Sequence, residues 1–220
     1  ELKLLVIVQA RTSSKRFKNK VLFSIYGKPL IEHVVFRIKK SLHIKNIIVA
    51  TSKNKEDDKL VNFLKKIKIK FYRGDLDNVA LRLYELAKLK KINYFIRISG
   101  DSPLIDKSII NKMIKIHQKS KNKYDLITNI FPRSFPKGQS VEIIKTSILK
   151  KNIHKFTKMD KEHVTNYFYK NHKQFKIKNF FLKDKKDNMN LSVDTKYDLK
   201  RILKKFNKDN FENFSIFRWK

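Results

Sequence analysis

The stretch Leu4-Leu5-Val6-Ile7-Val8-Gln9-Ala10-Arg11-Thr12-Ser13-Ser14-Lys15-Arg16-Phe17-Lys18-Asn19-Lys20 decides how the chain is to be read. Its first five residues form an unbroken apolar run with no polar alternation, the pattern of a strand buried on both faces. The run gives way to small and hydroxyl residues interleaved with cations. Backbone N–H groups and the hydroxyls of Thr12, Ser13 and Ser14 suit phosphate oxygens, while Arg11 and Lys20 can fold over one triphosphate and neutralise it. A buried strand that delivers a phosphate-binding loop at its end is the starting expectation.

The same rhythm recurs downstream. Apolar runs at Asn46–Ala50, Ile69–Tyr72, Tyr94–Ile98 and Leu126–Thr128 alternate with helical periodicity over Leu30–Lys40, Lys55–Lys66, Asn78–Lys90 and Lys107–His117. This alternation predicts an α/β fold, a Rossmann-like and mainly parallel sheet with helices on both faces. Such sheets bind ligands outside the carboxyl ends of their strands. The loops holding Ala10 to Lys20, Thr51-Ser52, Arg73-Gly74 and Gly100-Asp101 are therefore expected on one rim. From Phe131 the pattern changes: Phe131–Gly138 carries two prolines and a glycine and reads as a loop leaving the sheet. Val141–Ile144 reads as a strand, Asp160–Tyr169 as a helix and Asn190–Val193 as a late strand. Asp194 or Thr195 is then placed to cap a final amphipathic helix through Leu203.

Asp101 follows a buried strand, and Asp194 follows the late one. Either alone has an ordinary reading as a turn former or helix cap. Together, beside a basic hydroxyl-rich loop, they make a coherent Mg²⁺ site, because Mg²⁺ takes one or two carboxylates and fills its other positions with phosphate and water. Thr51-Ser52 could bond a base or simply turn the chain. Glu162-His163, on a predicted helix, could touch an acceptor or serve the structure alone. His163 has no second histidine at zinc-ligand spacing. No nucleophile elbow, Walker A loop or glycine-rich dinucleotide fingerprint is present.

The chain has 220 residues and a formal charge of +33, with 44 lysines against nine arginines and four glycines. Abundant Lys, Ile, Asn and Phe with little Gly, Pro or Ala is the composition of AT-rich coding. The lysines are scattered through every segment, which argues for a solvated basic surface with no specific nucleic-acid partner. A basic nucleic-acid-binding protein on an α/β scaffold is the alternative, and it would expose stacking aromatics and clustered arginines. The absence of cysteine removes disulfides and thiolate metal sites. With no apolar run of about 20 residues to span a membrane, the cytoplasm is the expected location.

Taken in order, several segments resemble the cytidylyltransferase family that activates sugars as CMP conjugates. The resemblance is closest to the branch named after spore-coat polysaccharide biosynthesis, related to the 3-deoxy-manno-octulosonate and acylneuraminate cytidylyltransferases. The segments are Gln9-Ala10-Arg11 through Leu22, Ala50-Thr51-Ser52 with Asp57-Asp58, Arg73-Gly74, Arg97 through Asp106, Phe135 through Glu142, Glu162-His163-Val164-Thr165 and Val193 through Leu199. The resemblance implies one nucleotidyltransferase domain over residues 1–220, of the nucleotide-diphospho-sugar transferase type. It implies transfer of CMP from CTP to a sugar or sugar acid with release of pyrophosphate. CTP would lie among Ala10, Arg11, Thr12, Ser13, Ser14, Lys20, Thr51, Ser52, Arg73, Gly74 and Asp101. Arg11, Ser14 and Lys20 would hold phosphates, with Arg11, Lys20 and Asp101 as the catalytic set. Asp101 and Asp194 would bind Mg²⁺, and Glu142, Glu162 and His163 would face the acceptor. An excursion over residues 131–185 would serve acceptor contacts or a homodimer. Fold alone never fixes function, so a catalytically silent relative is the further alternative. The chain departs from the family pattern at Ser13 and Asn19, where glycine is common, at Lys18, where proline is common, and at Ser140, where an acidic residue is frequent. Asn tolerates a left-handed backbone, so the change at Asn19 is mild.

Overall fold

Leu5 and Ile7 of the first strand point into one helical layer, and Val6 and Val8 point into the other. That is the reason this strand carries no polar residue until its end. In the computed structural model, which describes residues 4–218 except positions 15, 43 and 45, the strand is β1 (Leu5–Gln9). Lys15, quoted above within the loop, lies outside the described residues. β1 pairs in parallel with β4 (Asn46–Ser52) and β6 (Tyr94–Ser99), so that Val8 sits between Val49 and Ile98. β5 (Phe71–Gly74) extends the sheet beyond β4, again in parallel. On the other side lie β8 (Glu142–Lys145), β7 (Leu126–Thr128) and β9 (Ile177–Asn179), giving the order β5-β4-β1-β6-β8-β7-β9. Only β8 runs against the rest. The mainly parallel α/β sheet is therefore as the sequence predicts.

The face of Val6 is covered by α1 (Leu30–Lys39), α2 (Asp58–Lys66), α4 (Lys107–Lys119), α8 (Lys196–Lys205) and α9 (Lys208–Glu212). The face of Leu5 is covered by α3 (Val79–Leu89), α5 (Thr146–Asn152) and α7 (Asn166–Lys170). A two-stranded hairpin, β2 (Ser24–Ile25) and β3 (Lys28–Pro29), follows the first loop. The stretch 131–185 leaves the sheet at Phe131 and returns to it twice, as β8 and β9. Among the described residues no helix is long and apolar enough to cross a membrane.

Three expectations are corrected. Asn190–Val193 is extended but forms no sheet strand. It pairs instead with loop backbone, through Leu191 N to Lys137 O at 2.8 Å and Val193 N to Asp101 O at 2.9 Å, and the preceding Met189 O accepts from Lys137 N at 3.0 Å. Gly138 makes this possible: its φ is +85°, and a Cβ there would stand 2.5 Å from the Leu191 carbonyl carbon. The helix expected over Asp160–Tyr169 is two short ones, α6 (Lys158–Glu162) and α7, separated at His163–Thr165. The Asp160 carboxylate accepts a 2.7 Å bond from Asn166 and pairs with Lys170, folding the second helix back over the first. The helix expected over Lys55–Lys66 begins with a 3₁₀ turn, Lys55–Asp57, before α2. As for the last helix, Thr195 caps α8 in a capping box with Asp198, and the Asp194 carboxylate turns toward the rim.

The 3₁₀ turn has a physical cause. It aims Asp57, which is wholly buried, at two loops at once. Asp57 Oδ1 accepts the Thr12 N–H at 2.7 Å and the Thr12 hydroxyl at 2.8 Å, and Oδ2 accepts the Ser52 N–H at 3.0 Å and the Ser52 hydroxyl. Burial alone would raise its pKa, but the bonds from Ser52 and Thr12 outweigh burial and hold it below the ordinary value. Such a group adds stability that is complete above the unfolded-state pKa and is lost as pH falls through the folded one. We predict that Asp57→Asn loses about 3 kcal/mol at neutral pH, because buried donors are left facing an amide. Its urea midpoint should then fall less steeply than that of the wild type below about pH 4. Parallel urea titrations followed by circular dichroism measure both effects.

Candidate active site

The carboxyl ends of β1, β4, β5 and β6 meet at one rim. Gly100, after β6, lets two of them touch: a Cβ there would lie 2.8 Å from Ala10 Cβ and 2.9 Å from Gln9 O. Asp101 is thereby brought against the loop that follows β1. Across from it the segment ending at Val193 is tied to the Asp101 carbonyl and carries Asp194. Between the two carboxylates stands Lys20, whose Nζ donates to Asp101 Oδ2 at 3.1 Å and to Asp194 Oδ1 at 3.0 Å. Arg16 adds a second bond to Asp194 Oδ1, also at 3.0 Å. The Lys20 side chain is only 10% exposed. A buried ammonium needs this pair of counter-charges. Lys20 opens a 3₁₀ turn whose preceding residue, Asn19, has φ 60°, so the left-handed position in the loop is filled by a residue that tolerates it.

The two aspartates are a fitting donor set for Mg²⁺. No third His, Cys, Asp or Glu joins them in a metal-binding group among the described residues. A two-carboxylate set leaves the remaining positions to phosphate and water, which is how Mg²⁺ is commonly held in nucleotide sites.

The predicted nucleotide residues divide into two groups. Thr12 and Ser52 are committed to Asp57. Arg73 lies along the loop after β4, bonding Ser52 O at 2.9 Å and Asn54 O at 2.8 Å and pairing with Asp58 at 2.6 Å. Gly74 packs flush on Arg82, where a Cβ would stand 2.7 Å from Arg82 Cγ. Ala10 and Thr51 are buried in the floor. Arg11, Ser13 and Ser14 are the loop residues left partly open. The Ser13 hydroxyl is buried and finds no hydrogen-bond partner among the described residues, an orphan a phosphate oxygen would satisfy. Arg11 reaches Leu76 O at 3.4 Å and Glu162 Oε1 at 3.0 Å, which links the loop to α6. Beneath it lies Arg82, fully buried and bonded to Asp75 O at 2.8 Å. Burial first, and then the charge of Arg11, draw its pKa down to about 10.

Beside Asp101 a cleft of about 390 Å³ opens, with His163, Arg133, Lys137 and Tyr169 among its walls. His163, one of the predicted acceptor residues, faces this cleft, and Glu162 is held by Arg11 at its edge. Glu142, the third, is 1% exposed, and both its oxygens are occupied. One accepts the Tyr169 hydroxyl at 2.5 Å and the other pairs with Arg97, which also bonds Gln9 Oε1 at 2.8 Å. Burial, and then the carboxylate itself, keep the Tyr169 phenol protonated well above its ordinary range. Glu142 therefore braces the cleft floor.

Among the described residues Arg133 forms no ion pair, although the charge of Asp187 acts on it. Its guanidinium makes long contacts alone among those residues, to Pro136 O at 3.3 Å, Ser140 Oγ at 3.4 Å and Phe135 O at 3.5 Å. Burial lowers its pKa, and the charges of Glu142, Tyr169 and Asp187 only partly oppose this. The sequence analysis gives no role to Arg133, Arg97, Arg16 or Arg82, although Arg97 opens one of the segments that carry the resemblance. A usable signal was there, since arginine is scarce in a chain that writes almost every surface cation as lysine.

Comparison with known proteins agrees with this geometry. The family profile described as Cytidylyltransferase matches residues 5–215. An uncharacterized protein of Methanocaldococcus jannaschii is 33% identical over 207 residues, covering 92% of this chain and 82% of that protein. The spore coat polysaccharide biosynthesis protein SpsF of Bacillus subtilis is 28% identical over 209 residues, covering 90% and 84% of the two chains. The solved structure of a cytidylyltransferase from Leptospira borgpetersenii superposes with a TM-score of 0.89 at 27% identity, covering 98% of this chain and 91% of that one. A match to the family over residues 5–215, on a fold that superposes on a solved cytidylyltransferase, shows that this chain belongs to the cytidylyltransferase family.

Proposed function

We propose that the chain transfers CMP from CTP to a hydroxyl of a sugar acid, releasing pyrophosphate, in the synthesis of a surface polysaccharide or glycoconjugate. The observation that carries this reading is the convergence of Asp101 and Asp194 on Lys20, beside the orphaned Ser13 hydroxyl and at the mouth of a cationic cleft. Similarity to a polysaccharide biosynthesis protein supports the pathway class.

The chemistry needs an acceptor oxygen to attack the α-phosphorus in line while the bond to the β-phosphate oxygen breaks. Mg²⁺, held by Asp101 and Asp194, would neutralise charge developing on the phosphates. Lys20 and Arg11 would steady the leaving pyrophosphate, and the Ser13 and Ser14 hydroxyls would fix its orientation. Catalysis of this kind rests on positioning and electrostatics. The acceptor would lie in the cleft between Asp101 and His163. Arg133 and Lys137, with Glu142 already neutralised by Arg97, favour an acceptor that carries negative charge.

We predict that Asp101→Asn and Asp194→Asn each reduce kcat by about a hundred-fold or more, since a lost metal ligand removes several kcal/mol of transition-state stabilisation. Thermal unfolding should show both folds intact, and normal turnover at saturating Mg²⁺ would refute the assignment. The assay is pyrophosphate release from CTP, UTP, GTP and ATP against a panel of acidic and neutral sugars.

Arg133→Met is expected to raise KM for an acidic acceptor about ten- to a hundred-fold, the worth of one charge-assisted contact, with kcat little changed. KM for CTP should not move. An equal loss with neutral and acidic acceptors would show that Arg133 supports the loop alone.

A further inference from the structure

We propose that Lys20 is an exchange cation: without nucleotide its ammonium holds Asp101 and Asp194 together, and the phosphates of CTP draw it away as Mg²⁺ takes its place. This inference rests on the metal-dependent transfer proposed above and specifies how the site is loaded. Both carboxylates bond the same Nζ, at 3.1 and 3.0 Å, and Asp194 also bonds Arg16 at 3.0 Å. Two cations thus already match two anions. A dication that took the same two carboxylates would face the repulsion of an ammonium already bonded to both, so the site favours one cation or the other.

Leaving has a condition. A nearly buried ammonium does not move into an uncharged setting, because desolvation without a partner is unfavourable. It leaves one set of anions only for another. The phosphate loop supplies the place for that second set, since Ser13 and Arg11 lie on the same loop as Lys20. The backbone need not move. Lys20 N is bonded to Phe17 O at 3.2 Å, Asn19 N to Thr12 O at 2.8 Å, and Val21 is buried. A flexible four-carbon stem carries the charge from carboxylates to phosphates by side-chain rotation alone. Metal affinity in the nucleotide-free protein is therefore held down by Lys20 itself, beyond the mere lack of phosphate ligands.

The test is Mn²⁺ binding to the full chain without nucleotide, followed by electron paramagnetic resonance of free Mn²⁺. Lys20→Met should bind Mn²⁺ about ten-fold more tightly than the wild type, since a cation between the two ligands has gone. Lys20→Arg, which keeps the bridge, should behave as the wild type. Lys18→Gln, which removes an equal charge from the same loop at its pair with Glu56, should also leave the affinity unchanged. Affinities of Lys20→Met and wild type within two-fold of each other would overturn the exchange. Should Lys20→Met fail to fold in metal-free buffer, Mn²⁺ must restore its cooperative unfolding transition, and no restoration would equally overturn it. Tight Mn²⁺ binding to the nucleotide-free wild type would end this inference alone. Absence of Mn²⁺ binding even with an unreactive CTP analogue would instead remove the metal from the transfer reading.

Discussion

One buried carboxylate holds the rim together. Asp57 accepts donors from Thr12 and Ser52, residues 45 and five positions away in sequence. These belong to the loops that leave the two neighbouring strands β1 and β4, and without a shared acceptor each loop would have its own freedom. Fixing both to one anion sets the path of the chain from Thr12 onward. Everything placed by that path depends on it, including the orphaned Ser13 hydroxyl, the left-handed Asn19 and the inward course of Lys20. A carboxylate is suited to this task because its two oxygens accept several bonds without offering a donor that would need its own partner.

The charge of the molecule is organised differently from what its size suggests. Lysines lie over the whole surface, whereas six of the nine arginines, at positions 11, 16, 73, 82, 97 and 133, surround the rim and the cleft. Arg37 ties down the C-terminal segment through Phe214 O at 3.2 Å. The difference is chemical. A planar guanidinium can bond two or three fixed oxygens at once, as Arg73 does, and an ammonium on a flexible stem cannot hold that geometry. Where coding composition drives cations toward lysine, the positions that remain arginine are those where the fork is needed.

Much of this was legible in the chain. The strands β1, β4 and β6 and the helices between them follow from apolar runs and helical period, because a doubly covered parallel sheet leaves no room for polar residues. The meeting of Asp101 and Asp194 at the rim was legible because each follows a strand-like run there. The roles of Thr12 and Ser52 were not, since a hydroxyl that bonds a phosphate and one that bonds a buried aspartate look alike in sequence. The break at His163–Thr165 was hidden for a similar reason: Asp160 meets Asn166 and Lys170 across the bend, while the apolar period runs on through it. Asn190–Val193 has the apolar character of a strand, but its partners are loop backbone atoms, and no local pattern reports a partner so far away in sequence.

The contact at Gly138 has a consequence for how such a protein can diversify. Its backbone lies so close to Leu191 and Ser192 that the loop lining the cleft beside Asp101 and the segment carrying Asp194 form one mechanical piece. The cleft wall therefore cannot be exchanged as a cassette. A length change between Phe135 and Gln139 would shift Asp194 away from Lys20 and disturb the carboxylate pair along with the pocket. Under the transfer reading proposed above, acceptor preference would change instead through side chains on this wall that leave the Gly138–Leu191 joint intact, such as Ser140. Recognition can thus drift by point substitution while the joint between Gly138 and Leu191 stays as it is.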